Sequence, residues 1–264
     1  MRCAYCSEEC SPTREHVWPE GFLDRVRKTG QGFAHYSPKS GVVHGADYIV
    51  RDVCTTCNNI KLSGLDQYFC ALYDQYFYDP KGSDAVVEFF YDFDLLLRSL
   101  LKIAYNTARS AGSETKPFER TTKYILDGGT SPNGIALIAE LVSPSYVAAT
   151  PWSTPHEIRP TAYRSARGLL KTQNAEAVLV RIVAVGSFFF HLLLARDQNN
   201  LDPFGAAVSE FLASIRGTTL VDPSKPSIML RSSPQDSLRS MMPLLNAKWE
   251  QLREFFDLRR KADN

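Results

Sequence analysis

The sequence contains no run of about 18 or more apolar residues, which is the least that a membrane-spanning helix requires. Its longest apolar stretch, Ala184–Ala195, is interrupted by Gly186, Ser187 and His191. A transmembrane helix is therefore not expected. The chain begins Met1-Arg2-Cys3, which leaves no room for a signal peptide before the first motif. We expect an intracellular, cytoplasmic protein.

An excess of charge of either sign is also missing. The 264 residues include 30 basic and 29 acidic side chains, so the formal net charge is +1. A nucleic-acid-binding surface on this chain must therefore be a local patch. Hydrophobic residues make up 44% and charged residues 22% of the chain. This composition is ordinary for a globular protein and suits one large domain or two smaller ones.

Cysteine is scarce, with six residues, but four of them form CxxC pairs. The pairs are Cys3/Cys6 and Cys54/Cys57. In a reducing compartment such pairs are more often metal ligands than disulfides, and four thiolates form a closed tetrahedral zinc site. A redox CxxC is the alternative, but it needs a preceding strand, which the pair at the N-terminus lacks. Cys70 is expected in the core, and Cys10 is a weaker candidate ligand.

Local patterns predict the order knuckle, strand, loop, strand and helix for residues 1–79. Pro19 stops the first strand, and Asp79-Pro80 ends the helical spacing that starts at Cys57. The predicted elements are a strand at 15–18, a loop over 21–45 with a short helix near 22–26, a strand at 47–53 and a helix from 57 to 79.

A change of composition at Asp79–Ser83 predicts a domain boundary, with a module at 1–79 and an α+β domain at 80–264. Apolar residues on one face predict a helix over Leu95–Ala111 that Gly112 ends. Two apolar runs around Gly186-Ser187 predict a buried hairpin. The other predicted elements are strands at 85–93 and 135–142, loop or edge structure at 143–168, and helices at 204–215 and from just after Asp236 to about Arg260.

The dipeptide Glu15-His16 lies between the cysteine pairs, and Asn58-Asn59 directly follows the last cysteine. The joint pattern CxxC…EHVxP…CxxCNN resembles that of the HNH endonuclease family, which has a ββα-metal (treble-clef) fold. The resemblance covers Cys3–Asp66, with Pro19, Lys61 and Gly64 among the matching residues. It implies an α+β chain that begins with a zinc-stapled nuclease module.

The resemblance also implies a role for each matching residue. His16 corresponds to the general base that activates water, a task suited to an imidazole. Glu15 and Asn58 correspond to the protein ligands of one catalytic Mg²⁺ or Mn²⁺, an ion that prefers oxygen ligands. The four cysteines correspond to ligands of a separate, structural zinc ion.

The sequence departs from the family pattern near the histidine. Many relatives carry a central asparagine that orients this residue, but no asparagine occurs between residues 20 and 53. Asp47 and His44 are the alternatives in that segment. Glu15 is also one methylene longer than the aspartate of many relatives, although glutamate is usual in the EHV branch.

Three basic residues are candidates for contacts with a nucleic-acid backbone. Arg25 and Lys28 lie just after the first strand, and Lys61 follows the last cysteine pair. A solvated surface is the alternative interpretation of all three.

The function implied by the resemblance is metal-dependent hydrolysis of phosphodiester bonds in DNA. Residues 80–264 would then recognise a substrate, a partner or a signal. The expected partners of this domain include another protein and a second copy of the chain. Phage defence, restriction and mobile elements are the settings typical of such nucleases. Two alternatives stay open. One is a non-catalytic zinc module that binds nucleic acid or protein, and the other is a ribonuclease that uses the same residues.

Overall fold

The computed structural model describes residues 1–29, 48–144, 163–168, 170 and 172–233, together with the backbone of short strands at 35–37, 42–44, 145–147 and 156–158. These residues form a mixed α and β fold. This confirms the predicted α+β class, while the treble-clef nuclease module stays a prediction. The final helix, predicted to begin after Asp236, lies outside the described residues. Among the described residues, no helix is both long and apolar enough to cross a membrane.

The N-terminal segment consists of a cysteine knuckle, a two-stranded antiparallel ribbon and helices. Its elements are β1 (Thr13–His16), α1 (Glu20–Lys28), β2 (His35–Ser37), β3 (Val42–His44), β4 (Ile49–Val53) and α2 (Ser63–Leu72), with π-helical turns at Thr56–Lys61 and Tyr73–Phe77. β1 pairs with β4, so the order strand, strand, helix agrees with the prediction. The prediction placed the first strand two residues too late. Trp18 leaves the ribbon because its ring packs against Phe22 and Phe69.

A seven-stranded sheet dominates the rest of the described chain, in the order β5-β13-β6-β11-β10-β9 with β12 also paired to β6. Its strands are β5 (Val86–Phe90), β6 (Ile135–Val142), β9 (Tyr163–Arg167), β10 (Val178–Val185), β11 (Phe188–Ala195), β12 (Thr218–Leu220) and β13 (Ser227–Ser233), and β7 (Ser145–Val147) pairs with β8 (His156–Ile158) apart from it. The predicted hairpin is β10–β11, whose residues are all buried. β9 lies at one edge of the sheet, as the prediction of edge structure allowed.

The helices of this segment are α3 (Phe93–Ser110), α4 (Lys116–Glu119), α5 (Thr122–Asp127) and α6 (Asp202–Ser214). α3 begins where the side chain of Asp92 accepts a hydrogen bond from the Leu95 N–H at 3.0 Å. It ends before Gly112, whose φ of +63° is readily adopted by glycine. The predicted strand at 85–93 is therefore too long, because the Asp92 cap starts the helix at Phe93.

α3 lies at the centre of the molecule, between α2 and β4 on one side and strands β9–β11 on the other. It is consequently buried on nearly all sides, and four of its polar residues are buried: Ser99, Lys102, Asn106 and Thr107. One hydrophobic core includes residues from Cys3 to Leu230. The two predicted domains share this core, and their independence as folding units stays a prediction.

We predict that Gly186→Ala lowers the free energy of unfolding by about 1–3 kcal/mol. Gly186 opens the β10–β11 turn with φ +52°, and a Cβ atom there would lie 2.5 Å from the Phe77 carbonyl oxygen. Gly64→Ala is the matched control, because its added Cβ meets no atom within 4 Å inside helix α2. Urea unfolding should show the control unchanged or stabilised by roughly 0.5–1 kcal/mol. Equal losses of unfolding free energy in both variants would contradict the predicted clash between a Cβ atom at Gly186 and the Phe77 carbonyl oxygen.

Candidate functional site

Four thiols meet between the N-terminal knuckle and the start of the helical segment after β4. The Sγ atoms of Cys3, Cys6, Cys54 and Cys57 all lie within 4.8 Å of one another, and those of Cys6 and Cys54 are 3.8 Å apart. A tetrahedral ion with Zn–S bonds of about 2.3 Å holds its sulfurs roughly 3.8 Å apart. The donor set and spacing therefore fit a zinc ion. Cys10 is not part of this cluster.

Backbone N–H groups point at the sulfurs of this cluster. The Cys54 N–H donates to Cys3 Sγ at 3.4 Å, and the Cys57 N–H donates to Cys54 Sγ at 3.4 Å. Burial raises the pKa of the Cys3 thiol, but hydrogen bonds led by the Cys6 backbone outweigh burial and bring that pKa to about 7. Since the thiolate is the form that binds metal, the backbone favours the ligand state of Cys3.

Helix α3 fixes the knuckle and β4 from the interior. The Tyr5 hydroxyl donates to Asn106 Oδ1 at 2.7 Å. The Arg109 guanidinium lies 5.1 Å from the ring centroid of Tyr5 and 4.5 Å from that of Tyr105, and it also binds the Asp52 carboxylate on β4. The cysteine cluster is thus not the only link between these segments, because α3 joins them through polar and aromatic contacts.

Glu15, which the family resemblance implies as a metal ligand, faces this interior. It is 2% exposed, and its Oε1 lies 2.7 Å from Lys102 Nζ and 3.3 Å from Asn106 Nδ2. Lys102 is equally buried and also binds Asp66 of α2. Burial lowers the pKa of Lys102, but the carboxylates of Asp66 and Glu15 outweigh burial and hold that pKa above its ordinary value. Lys102 therefore stays charged at neutral pH, and Glu15 has an ammonium group as its counter-ion.

This arrangement does not fit Glu15 as a ligand of catalytic Mg²⁺ or Mn²⁺. Such an ion keeps several water ligands and binds the substrate phosphate, so it needs a carboxylate oxygen that water can reach. The Glu15 carboxylate is instead enclosed by Lys102 and Asn106. A metal ion on Glu15 would either displace Lys102 from its buried partner or lie next to the Lys102 ammonium group, and both arrangements are unfavourable.

His16 occupies a different environment from Glu15. It is the last residue of β1, pairs with Ile49 and is partly exposed. Because successive residues of a strand point to opposite faces, the two side chains diverge. The Glu15-His16 dipeptide therefore does not present both side chains to one opening.

Asn106 contacts His16 and was not identified from the sequence. Its Nδ2 donates to the His16 carbonyl oxygen at 3.3 Å. The side chains of the sequence alternatives, Asp47 and His44, lie outside the described residues. Asn106 lies on α3, far from the motif along the chain, and no spacing rule connects it with His16. A polar asparagine within the helical pattern of α3 was the signal that the sequence offered.

Asn58 lies beside β1. Its Nδ2 donates to Thr13 Oγ1 at 2.9 Å and to the Arg14 carbonyl oxygen at 3.0 Å. The structure therefore brings Asn58 to the strand that carries Glu15 and His16, as the sequence interpretation required. Its role as a metal ligand stays a prediction.

The three basic residues predicted to contact nucleic acid lie at the surface. Arg25 forms two hydrogen bonds with the Asp74 carboxylate, at 2.7 and 2.8 Å. Lys61 Nζ lies 2.6 Å from Asp127 Oδ1. Lys28 is exposed at the end of α1. Their contact with nucleic acid stays a prediction, and for Arg25 and Lys61 a phosphate would compete with a carboxylate already in place.

Comparisons of the chain with protein-family models, with curated proteins and with solved structures find no match. The interpretation of the site therefore rests on its residues and their geometry.

We predict that Lys102→Met destabilises the protein by about 3–5 kcal/mol, because it leaves Glu15 buried without a counter-ion. Adding Glu15→Gln to Lys102→Met should restore part of that loss, with a coupling of roughly 1–3 kcal/mol in a double-mutant cycle measured by urea unfolding.

The exposed pair Arg25–Asp74 provides the control, since its side chains are 37% and 55% exposed. Asp74→Asn should cost less than about 1 kcal/mol. Strictly additive effects of Glu15→Gln and Lys102→Met would contradict the buried ion pair.

Proposed function

We propose that this chain is an HNH-type endonuclease that hydrolyses phosphodiester bonds in DNA, with His16 as the general base. One observation carries the proposal. The antiparallel β1–β4 ribbon is followed by a helical segment, and the cysteine cluster joins the start of that segment to the knuckle before β1. This is the element order of a ββα module, and it supports assigning residues 1–79 to that role.

The position of His16 supports its proposed role. It lies at the end of a strand and is partly exposed, while its backbone carbonyl is held by Asn106. An imidazole nitrogen can act as a general base and accept a proton from the water that attacks phosphorus. Asn58 is held against the same strand.

Two kinds of metal ion enter the proposal. We assign zinc to the four cysteines as a structural ion that contributes folding free energy. The divalent ion implied by the family resemblance would stabilise charge on the phosphate when bound. Asn58 offers an amide oxygen for such an ion, whereas Glu15 is committed to Lys102.

A non-catalytic zinc module that binds nucleic acid is the second candidate, and the enclosed Glu15 carboxylate favours it. A ribonuclease would use the same residues as the proposed deoxyribonuclease. A role in phage defence, restriction or a mobile element, and a protein or homo-oligomeric partner for residues 80–264, rest on the resemblance alone.

We predict that the zinc-loaded protein nicks plasmid DNA in the presence of Mg²⁺ or Mn²⁺. His16→Ala should lower the rate at least about 100-fold, the usual contribution of a general base. Asn58→Ala should also lower it, while Asn59→Ala, on the exposed neighbouring residue, should not. Gel assays of plasmid relaxation measure these rates.

Equal cutting by wild type and His16→Ala would contradict the assignment of the base. Failure to cut any DNA or RNA tested, by protein that holds zinc, would leave the non-catalytic module as the function.

We predict one zinc ion per chain by elemental analysis. Cys54→Ser should lose zinc and the cooperative unfolding of the protein, because the ion holds the knuckle to the helical segment. Cys10→Ser should keep both, since Cys10 lies outside the cluster. Full zinc content and wild-type stability in Cys54→Ser would contradict the assignment.

A further inference from the structure

The β1–β4 ribbon is irregular at the residue before Glu15. Thr13 pairs with Val53 and Glu15 pairs with Val50, so two steps along β1 correspond to three steps along β4. Such a register shift is a β-bulge. It sets Arg14 opposite Arg51 and its neighbour Asp52.

The two faces of this ribbon differ in burial. Glu15, Val50 and Val53 are buried against the interior. Arg14 and Arg51 are exposed. The outer face of the ribbon therefore presents two arginine side chains, and His16 lies two residues after Arg14 on the same strand.

Neither of these two guanidinium groups has a carboxylate partner within the described part of the chain. The nearest acid along the chain, Asp52, binds Arg109, and Glu15 binds Lys102. Like charges opposite each other across two strands destabilise a ribbon. A bound anion would offset such a repulsion between the two guanidinium groups.

The backbone that carries Arg14 is held rigidly. Asn58 Nδ2 donates to the Arg14 carbonyl oxygen at 3.0 Å and to Thr13 Oγ1 at 2.9 Å. Thr13 Oγ1 in turn donates to the Val53 carbonyl oxygen at 2.8 Å. A cationic pair on a fixed ribbon loses less conformational entropy on binding than one on a mobile loop.

We propose that Arg14 and Arg51 form a clamp for the phosphodiester backbone of a nucleic acid and hold it beside His16. The planar guanidinium fork matches the oxygens of a phosphate, and two forks on neighbouring strands suit a polyanion. The inference deepens the proposed function and takes its ligand class from it. The clamp differs from the predicted contacts of Arg25 and Lys61, which already have carboxylate partners.

Binding, rather than cleavage, tests the clamp. Fluorescence anisotropy of labelled duplex DNA, single-stranded DNA and RNA is measured over a range of salt concentrations. The zinc-loaded protein is used without added Mg²⁺ or Mn²⁺. The double variant Arg14→Gln/Arg51→Gln should bind at least about tenfold more weakly. The slope of log K against log salt should fall by about 2, because each arginine that is removed leaves roughly one phosphate without its cation.

Arg216→Gln is the control for the loss of one positive charge, because it removes a single arginine from the exposed turn between α6 and β12. Affinity and slope should not change in this variant. The double variant Arg14→Lys/Arg51→Lys should recover part of the affinity, since lysine keeps the charge without the fork. Circular dichroism and zinc content should match those of the wild type in every variant.

Unchanged affinity and slope in the double glutamine variant, or no binding of any nucleic acid by the wild type, would overturn the clamp. The three ligand arms identify which nucleic acid is preferred. If binding falls as expected while no cleavage is seen, the clamp stands and the endonuclease proposal fails. If cleavage depends on His16 but binding does not depend on the two arginines, the endonuclease proposal stands and the clamp fails.

Discussion

One buried ammonium group determines how the N-terminal elements are arranged. Lys102 on α3 binds Glu15 on β1 and Asp66 on α2. Removing a charge from water costs several kcal/mol unless its partners are well placed, so these three elements can pack together in few ways. The ion pair also fixes the orientation of β1. Because Glu15 points inward, the alternation along the strand turns Arg14 to the solvent.

The orientation of β1 separates buried, structural residues from those for which we propose a function. The inner face of the ribbon is joined to α3 by the ion pair and by Asn106, which contacts both Glu15 and the His16 carbonyl. The outer face carries two exposed arginines next to a partly exposed histidine. In the proposed function, these side chains would form the local positive patch that a chain with a net charge of only +1 needs to bind a nucleic acid.

Local sequence patterns predicted those features that depend on neighbouring residues. Two CxxC pairs indicated a thiol cluster, and Gly186-Ser187 between apolar runs indicated the β10–β11 hairpin. The helical periodicity of α3 was also readable, and Gly112 marks its end. Each of these signals spans only a few residues, although the thiol cluster itself joins two pairs that are far apart along the chain.

The missed features depend on contacts between distant parts of the chain. α3 looked like an amphipathic helix with Lys102 on its polar side, but both sides of the helix are covered, so this lysine is buried. The family resemblance implied Glu15 as a metal ligand, and no pattern along the chain signalled its contact with Lys102. The outward position of Arg14 and Arg51 depends on a bulge in the pairing of two strands that are far apart along the chain. No pattern within either strand signals that bulge.

The division of the ribbon into an inner and an outer face is tested most directly by a crystal structure with a bound, non-hydrolysable DNA duplex and Mn²⁺. We expect a phosphate of the DNA between Arg14 and Arg51, close to His16, while Glu15 remains bound to Lys102. Anomalous scattering from manganese should then be absent at Glu15. DNA on another surface, or manganese on Glu15 with Lys102 displaced, would contradict this division.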